Sequence, residues 1–253
     1  MEKHKEEKVL ATEVKNELEV PKELPIEPEE IKEPIIEETR RDIDWTPKTV
    51  LGKQVFEGKI TSVEQILTSG KKILEPKIVE YLIPDLKTEL ILIGGRGGKG
   101  GGAQRIPIRI TAKMHSSGRR FRTSSLIAVG NGNGLIGIGR ASSVEPRTAM
   151  EKATNKAKLN IMMINRGCGD WECGCGTNHS ILFKTKGKSG SVHVQILPAP
   201  KGVGLVADNE TKKLLRLAGI KDAWSRTSGN TGNRINLISA VADALKKLYI
   251  YEK

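Results

Sequence analysis

KMHSSGRRFRTSSLIAVGNGNGLIGIGR, residues 113–140, sets two apolar runs of strand length on either side of Asn131-Gly132-Asn133-Gly134. Leu126 to Val129 form one run, and Leu135, Ile136 and Ile138 form the other. Asn-Gly pairs supply the positive φ that tight hairpin turns require, so the segment reads as a β-hairpin. A basic loop feeds it, with Lys113, His115, Ser116, Ser117, Gly118, Arg119, Arg120 and Arg122 at the mouth.

The helix signal that follows is Ser142-x-x-Glu145 with Pro146, then Ala149, Met150, Ala153, Ala157 and Ile161 along one face. Arg147, Lys152, Lys156 and Lys158 occupy other positions of that helix. Strands followed by one helix, with cations on the helix and in the preceding loop, resemble the double-stranded-RNA-binding fold, where shape and phosphate contacts outweigh base reading. Upstream, three short helical pieces are expected: Pro47–Phe56, a turn capped by Ser62 and ending at Gly70, and Pro76–Leu82. They are too short to be stable alone and need something to pack against. The run GGRGGKGGG at 94–102 reads as a flexible, exposed loop carrying Arg96 and Lys99.

Beyond Thr177 the pattern repeats in a second unit. A strand-like ILFKTKG, a turn at Lys188-Ser189-Gly190 and an alternating SVHVQIL give another hairpin. Asp208 caps a helix through Leu214, Leu215, Leu217 and Ala218 that stops at Gly219, and a last helix carries Leu237, Ile238, Val241, Leu245 and Leu248 at helical spacing.

The 253 residues carry a net charge of +12, with pI near 9.6. That charge is unevenly spread. Residues 1–44 hold 8 Lys+Arg against 15 Asp+Glu, a net of −7, which leaves 34 against 15, or +19, for residues 45–253. The Pro- and Glu-rich opening has no apolar stripe and is expected to be a mostly disordered acidic tail. It lacks the apolar core of a signal peptide, and no run of about 18 apolar residues occurs, so a cytoplasmic protein without a membrane partner is expected. The basic remainder points to a polyanionic partner, because clustered Lys and Arg on phosphates release counterions. Arg96, Lys99, Arg105 and Arg109 add to the basic loop, as do Lys152 and Lys156 on the helix.

Gly132 to Gly137 fits G-x-G-x-x-G literally, but a phosphate-cradling loop must open into a helix, and here the chain continues as a strand. No nucleophile set or carboxylate pair is present, so an enzyme is not expected. All three cysteines lie in Cys168-x4-Cys173-x-Cys175-x3-His179. Two readings stay open. Four ligands within twelve residues offer a tetrahedral zinc site, yet the single residue between Cys173 and Cys175 is unusual spacing, and three reduced thiols in a glycine-rich loop explain the motif equally well.

Several motifs together resemble the family of the fifth small-subunit ribosomal protein, in its archaeal form. They are Gly118-Arg-Arg-Phe121 with the glycine hairpin and Glu145-Pro146, Arg166-Gly-Cys168 through Trp171, Cys173, Cys175 and His179-Ser180, Pro198-Ala-Pro200-Lys-Gly, Ala218-Gly219-Ile220 through Trp224, and the opening Trp45-x-Pro47. Residues 94–108 look like an insertion, and the acidic tail is longer than the family needs. The resemblance implies an α+β protein: a double-stranded-RNA-binding-like domain over 87–166, a Cys-rich linker over 167–176 and a left-handed β-α-β domain over 177–253, preceded by the tail (1–44) and the helical extension (45–86). It implies an rRNA-binding constituent of the small subunit near the mRNA entrance, beside the fourth and eighth small-subunit proteins, that supports assembly and accuracy. His115–Arg122 would be its projecting RNA-binding loop. The alternative is an extra-ribosomal RNA-binding protein or RNA chaperone.

Overall fold

The computed structural model of the protein describes residues 45–97 and 103–250. The expected acidic tail and Lys99 lie outside the described residues. All described residues belong to one compact unit, Ile43–Lys253.

Helices α1 (Val50–Phe56), α2 (Val63–Thr68) and α3 (Pro76–Leu82) open this unit. Thr49 caps α1 by accepting from Gly52 N, and Pro76 begins α3, where its missing N–H is not needed. The first sheet contains β1 (Lys87–Leu90), β4 (Ile108–His115), β5 (Gly118–Gly130), β6 (Leu135–Ser143) and β7 (Ile161–Met163); β2 (Gly94–Gly97) and β3 (Ala103–Ile106) form a separate hairpin. The first half of the glycine run is therefore strand rather than loop. Gly94 is buried, and a Cβ there would stand 2.0 Å from the Ile108 carbonyl oxygen, so only glycine admits this close backbone approach.

Helix α4 (Pro146–Leu159) covers one face of the first sheet. Its cap is Glu145, not Ser142, because Ser142 and Ser143 still pair with β5 as the end of β6. Ala153 and Ala157 lie over Gly137 and Gly139 of β6, so small residues from both elements let the helix approach the sheet backbone.

A two-residue ladder of β8 (Arg166–Gly167) with β9 (Ser180–Ile181) leads to the second sheet, ordered β10 (Thr185–Ser189), β11 (Val192–Pro198), β13 (Ala223–Ser228) and β12 (Leu205–Val206). Strands β12 and β13 are parallel and joined through α5 (Asn209–Leu217), a β-α-β connection. Helix α6 (Arg234–Ile250) packs on β10, where Gly187 meets the backbone of Ala240 and Ala244.

Alternation along β5 explains how the halves join. Ile127 and Val129 turn toward α4 and the N-terminal helices, in a core with Val55, Ile66, Ile78 and Val79. Leu126 and Ala128 turn the other way, into a core with Val194, Ile196, Leu214, Ile238 and Leu245. The expected partners of the short helices are thus found within the same chain. The inner part of β5 is buried on both faces, at roughly 1.5–3 kcal/mol per buried large apolar side chain.

Backbone contacts reinforce that junction. Asn131 Oδ1 accepts from Asn133 N and Leu135 N, at 2.8 and 3.1 Å, which fixes the turn between β5 and β6. The same turn donates outward, from Gly132 N to the Leu217 carbonyl (2.9 Å) and from Gly134 N to that of Ala218 (3.1 Å). These carbonyls belong to the end of α5, where helices leave acceptors unsatisfied. Arg166 Nη1 bridges the carbonyls of Gly132 and Gly219. The literal G-x-G-x-x-G thus has structural uses in this fold: Gly132 and Gly134 make a turn that caps a helix, and Gly137 admits α4.

Candidate nucleic-acid interface and cysteine cluster

Strand β5 divides sharply in two. Thr123 to Gly130 are buried, whereas Gly118 to Arg122 are exposed and pair only with β4, so the β4–β5 hairpin projects from the core. Gly118, at φ +106°, closes its tip with Ser116 and Ser117.

Cross-strand register sorts the hairpin's side chains by face. Lys113 lies opposite Arg120, Thr111 opposite Arg122 and His115 opposite Gly118. These pairs share one face, and Thr111, Lys113, His115, Arg120 and Arg122 line a groove of about 460 Å³ together with Phe121, Ser142 and Ser143 at the end of β6, Val144 just beyond it and Lys152 from α4. Arg120 Nη2 donates to Ser117 Oγ at 3.0 Å. Among the described residues no carboxylate lines this groove. On the opposite face Met114 pairs with Arg119 and Ala112 with Phe121; the Arg119 guanidinium stands 5.3 Å from the Phe121 ring centre, and Met114 and Phe121 are 79% and 54% exposed.

The remaining expected cations are distributed elsewhere. Lys156 lines a second groove with Arg140, Asn160 and Ile138, along the part of β6 that β7 leaves unpaired. Arg109 and Arg105 lie beside the N-terminal end of α6, in two different cavities. Arg96 is on β2, its backbone opposite Gln104. Lys158, on the same helix as Lys152 and Lys156, ion-pairs with Glu80 and ties α3 to α4. Arg140, Thr111, Ser142 and Ser143 were not foreseen; the alternation of β6 marks Arg140 as an outlier among apolar neighbours, but only the register with β5 reveals its side of the sheet.

The cysteines form a second cluster. One ligand atom from each of Cys168, Cys173, Cys175 and His179 lies within 4.8 Å of all the others. The loop's ends are clamped by β8 and β9, and Gly169 N donates to the Ile181 carbonyl. His179 is buried, and its Nδ1 lies 2.8 Å from Oδ2 of buried Asp222. Asp222 Oδ1 in turn accepts from Gly202 N and Gly204 N. Burial, with the neighbouring Cys175 and Cys173, pushes the Cys168 thiol up to about 11, whereas hydrogen bonds from Thr177 hold Cys175 down to about 6.

No helix among the described residues is long and apolar enough to cross a membrane. Residues 103–165 match the N-terminal domain of ribosomal protein S5, and residues 187–253 match its C-terminal domain. The chain is 45% identical over 205 residues to the small ribosomal subunit protein uS5 of Methanocaldococcus jannaschii, covering 81% of this chain and 88% of that one. It is 48% identical over 208 residues to uS5 of Nanoarchaeum equitans, with the same coverages, and 45% identical over 205 residues to uS5 of Staphylothermus marinus, covering 81% and 89%. With both domain matches in chain order and this identity across most of its length, the chain belongs to the ribosomal protein S5 family.

Proposed function

We propose that this structural, non-enzymatic constituent of the small ribosomal subunit, cytoplasmic within the ribosome, grips rRNA with the projecting β4–β5 hairpin. The observation that carries the reading is the groove in which Lys113, His115, Arg120, Arg122 and Lys152 converge, with no carboxylate among the described residues that line it. A two-stranded hairpin set on a doubly buried strand presents these cations as a fixed array, which suits phosphates held at fixed spacing in a folded RNA. The sheet with α4 on one face then acts as a double-stranded-RNA-binding-like unit, and the Arg119–Phe121 face supplies a stacking surface for an unpaired base. The second sheet acts as the left-handed β-α-β domain implied by the family resemblance. In the assembled subunit the protein stands near the mRNA entrance, beside the fourth and eighth small-subunit proteins, and supports assembly and accuracy.

The test is a salt titration of rRNA-fragment binding by the full chain and by the Arg120→Ala, Arg122→Ala double variant. Each lost phosphate contact removes about 0.7–0.9 from the slope of log K against log salt, so losing two should flatten it by roughly 1.4–1.8. The two arginines are outside both cores, so thermal unfolding should not move. An unchanged slope would remove the hairpin from the interface.

A further inference from the structure

We propose that Cys168, Cys173, Cys175 and His179 hold a structural zinc ion, and that Asp222 is the positioning residue that aims His179 at it. Three soft thiols and one imidazole form the donor set that zinc takes in closed tetrahedral sites. Bond lengths of about 2.3 Å to sulfur and about 2.0–2.1 Å to nitrogen place tetrahedral ligands roughly 3.6–3.8 Å apart. Cys173 Sγ and His179 Nε2 already stand 3.7 Å apart, and all four donor atoms fall within 4.8 Å. Filling the site needs only a small contraction of side chains. Across the short Cys173-Gly174-Cys175 spacing the chain is uncrowded, and just beyond it Gly176 takes φ +59° to turn the chain back toward His179.

The histidine supplies the independent argument. A metal-binding imidazole must present a lone pair, and its other ring nitrogen must then carry the proton and find an acceptor. Asp222 Oδ2 provides that acceptor at 2.8 Å from Nδ1, which leaves the lone pair on Nε2, the nitrogen that faces Cys173. Both partners are nearly buried, with side chains 4% and 6% exposed. The carboxylate is itself held by Gly202 N and Gly204 N, and the His179 carbonyl accepts from Lys221 N and Asp222 N. The loop that carries the thiols follows β8, while the imidazole is anchored to the segment before β13. An ion at this point fastens the 168–179 loop to the second sheet's scaffold.

Metal content of the separately purified full chain, grown with zinc in the medium, is measured by elemental mass spectrometry. Uptake of Co²⁺ by the stripped chain is followed by its visible ligand-field bands and thiolate charge-transfer absorption. We expect one zinc per chain, lost in Cys173→Ser, and a tetrahedral cobalt spectrum with thiolate bands. Asp222→Asn, with its fold checked by circular dichroism, should weaken zinc about 10–100-fold against a competing chelator. The wild-type cobalt spectrum decides the matter even if the variants fail to fold. A chain that comes out metal-free and takes up no cobalt overturns the site; iron in place of zinc overturns the assignment of the ion; full retention of zinc in Cys173→Ser overturns the ligand set. Unchanged zinc affinity in a folded Asp222→Asn overturns the role of Asp222.

Discussion

Replacing Gly139 with alanine tests whether the α4–β6 seam sets the thickness of the N-terminal half. In a strand interior, Gly→Ala ordinarily stabilises by about 0.4–1 kcal/mol because the unfolded chain loses freedom. Here the new Cβ would stand 2.1 Å from the Ala153 carbonyl oxygen and 2.3 Å from Ala157 N. Ordinary contacts to a Cβ lie at 3.4–4 Å, so the helix must lift by more than an ångström. The obstacles are backbone atoms within α4, and no rotamer change can clear them. Overpacking of a core costs about 1–3 kcal/mol, and a clash that only a shift of a whole helix relieves belongs at the upper end, at about 3 kcal/mol. For a chain of this size each kcal/mol lowers Tm by about 2–4 °C, giving a drop of roughly 6–12 °C by calorimetry or circular dichroism. Gly174→Ala, with open space around it, is the control and should shift stability by less than about 0.5 kcal/mol. A Gly139→Ala protein as stable as wild type would mean that α4 does not rest on the β6 backbone.

Two further predictions probe how segments are tied to the core. Burial pushes the Glu75 carboxyl up, but hydrogen bonds from Thr49, Trp45 and Lys48 outweigh it and hold the group below its ordinary 4.5. A depressed folded pKa stabilises above the unfolded value, and that contribution is lost as pH falls from about 4.5 through the folded value; Glu75→Gln should flatten the loss of denaturation midpoint across that window, and an unaltered acid profile would count against the clamp. Buried Glu210 accepts from Leu92 N and pairs with Lys213, whose ammonium also donates to the Leu90 carbonyl. Glu210→Ala leaves the half-buried Leu92 N–H without its acceptor, while Lys213, with its side chain 29% exposed, can turn to water; urea denaturation should show a loss of about 1–3 kcal/mol, and no measurable loss would show that other contacts hold the 87–93 segment.

Local signals in the sequence located elements well where chemistry and periodicity agreed. Pro76, Asp208 and Gly219 punctuate helices as expected, and the Asn-Gly turn closes β5 onto β6. What escaped was set by distant partners. Ala223–Ser228, AWSRTS, has no clean alternation, yet it is the central strand that joins β11 to β12, because its neighbours supply the ladder. Gly94–Gly97 looked too glycine-rich for a strand, but close approach to Ile108 selects the missing side chain. At the candidate interface, Lys113, Arg120 and Arg122 were legible from charge density, whereas the sorting of Lys152 from Lys156 and Lys158 was not. All three are cations on one helix; their separation depends on which of β4, β6 and α3 stands opposite each. The thiol motif named its four members, but Asp222 lies 43 positions from His179, and only folding brings that acceptor to the ring.

The division of β5 explains how one strand can serve both architecture and recognition. Its last eight residues are buried on two faces, so neither core can shift the strand without disturbing the other. At its far end the turn is hydrogen-bonded to the terminal carbonyls of α5 and bridged by Arg166, which prevents the strand from sliding along its own axis. A β-ladder transmits such constraint, because register fixes both position and facing of every paired residue. Five exposed residues continuing from a strand held in this way inherit its orientation, although they have almost no core contacts of their own. The cationic face of the hairpin therefore needs no packing around the arginines to be directed; it needs an undisturbed interior more than a dozen ångströms up the strand, at about 3.4 Å per residue. That is why the glycine seam under α4 and the capped turn bear on the proposed RNA contact while touching none of the residues assigned to it.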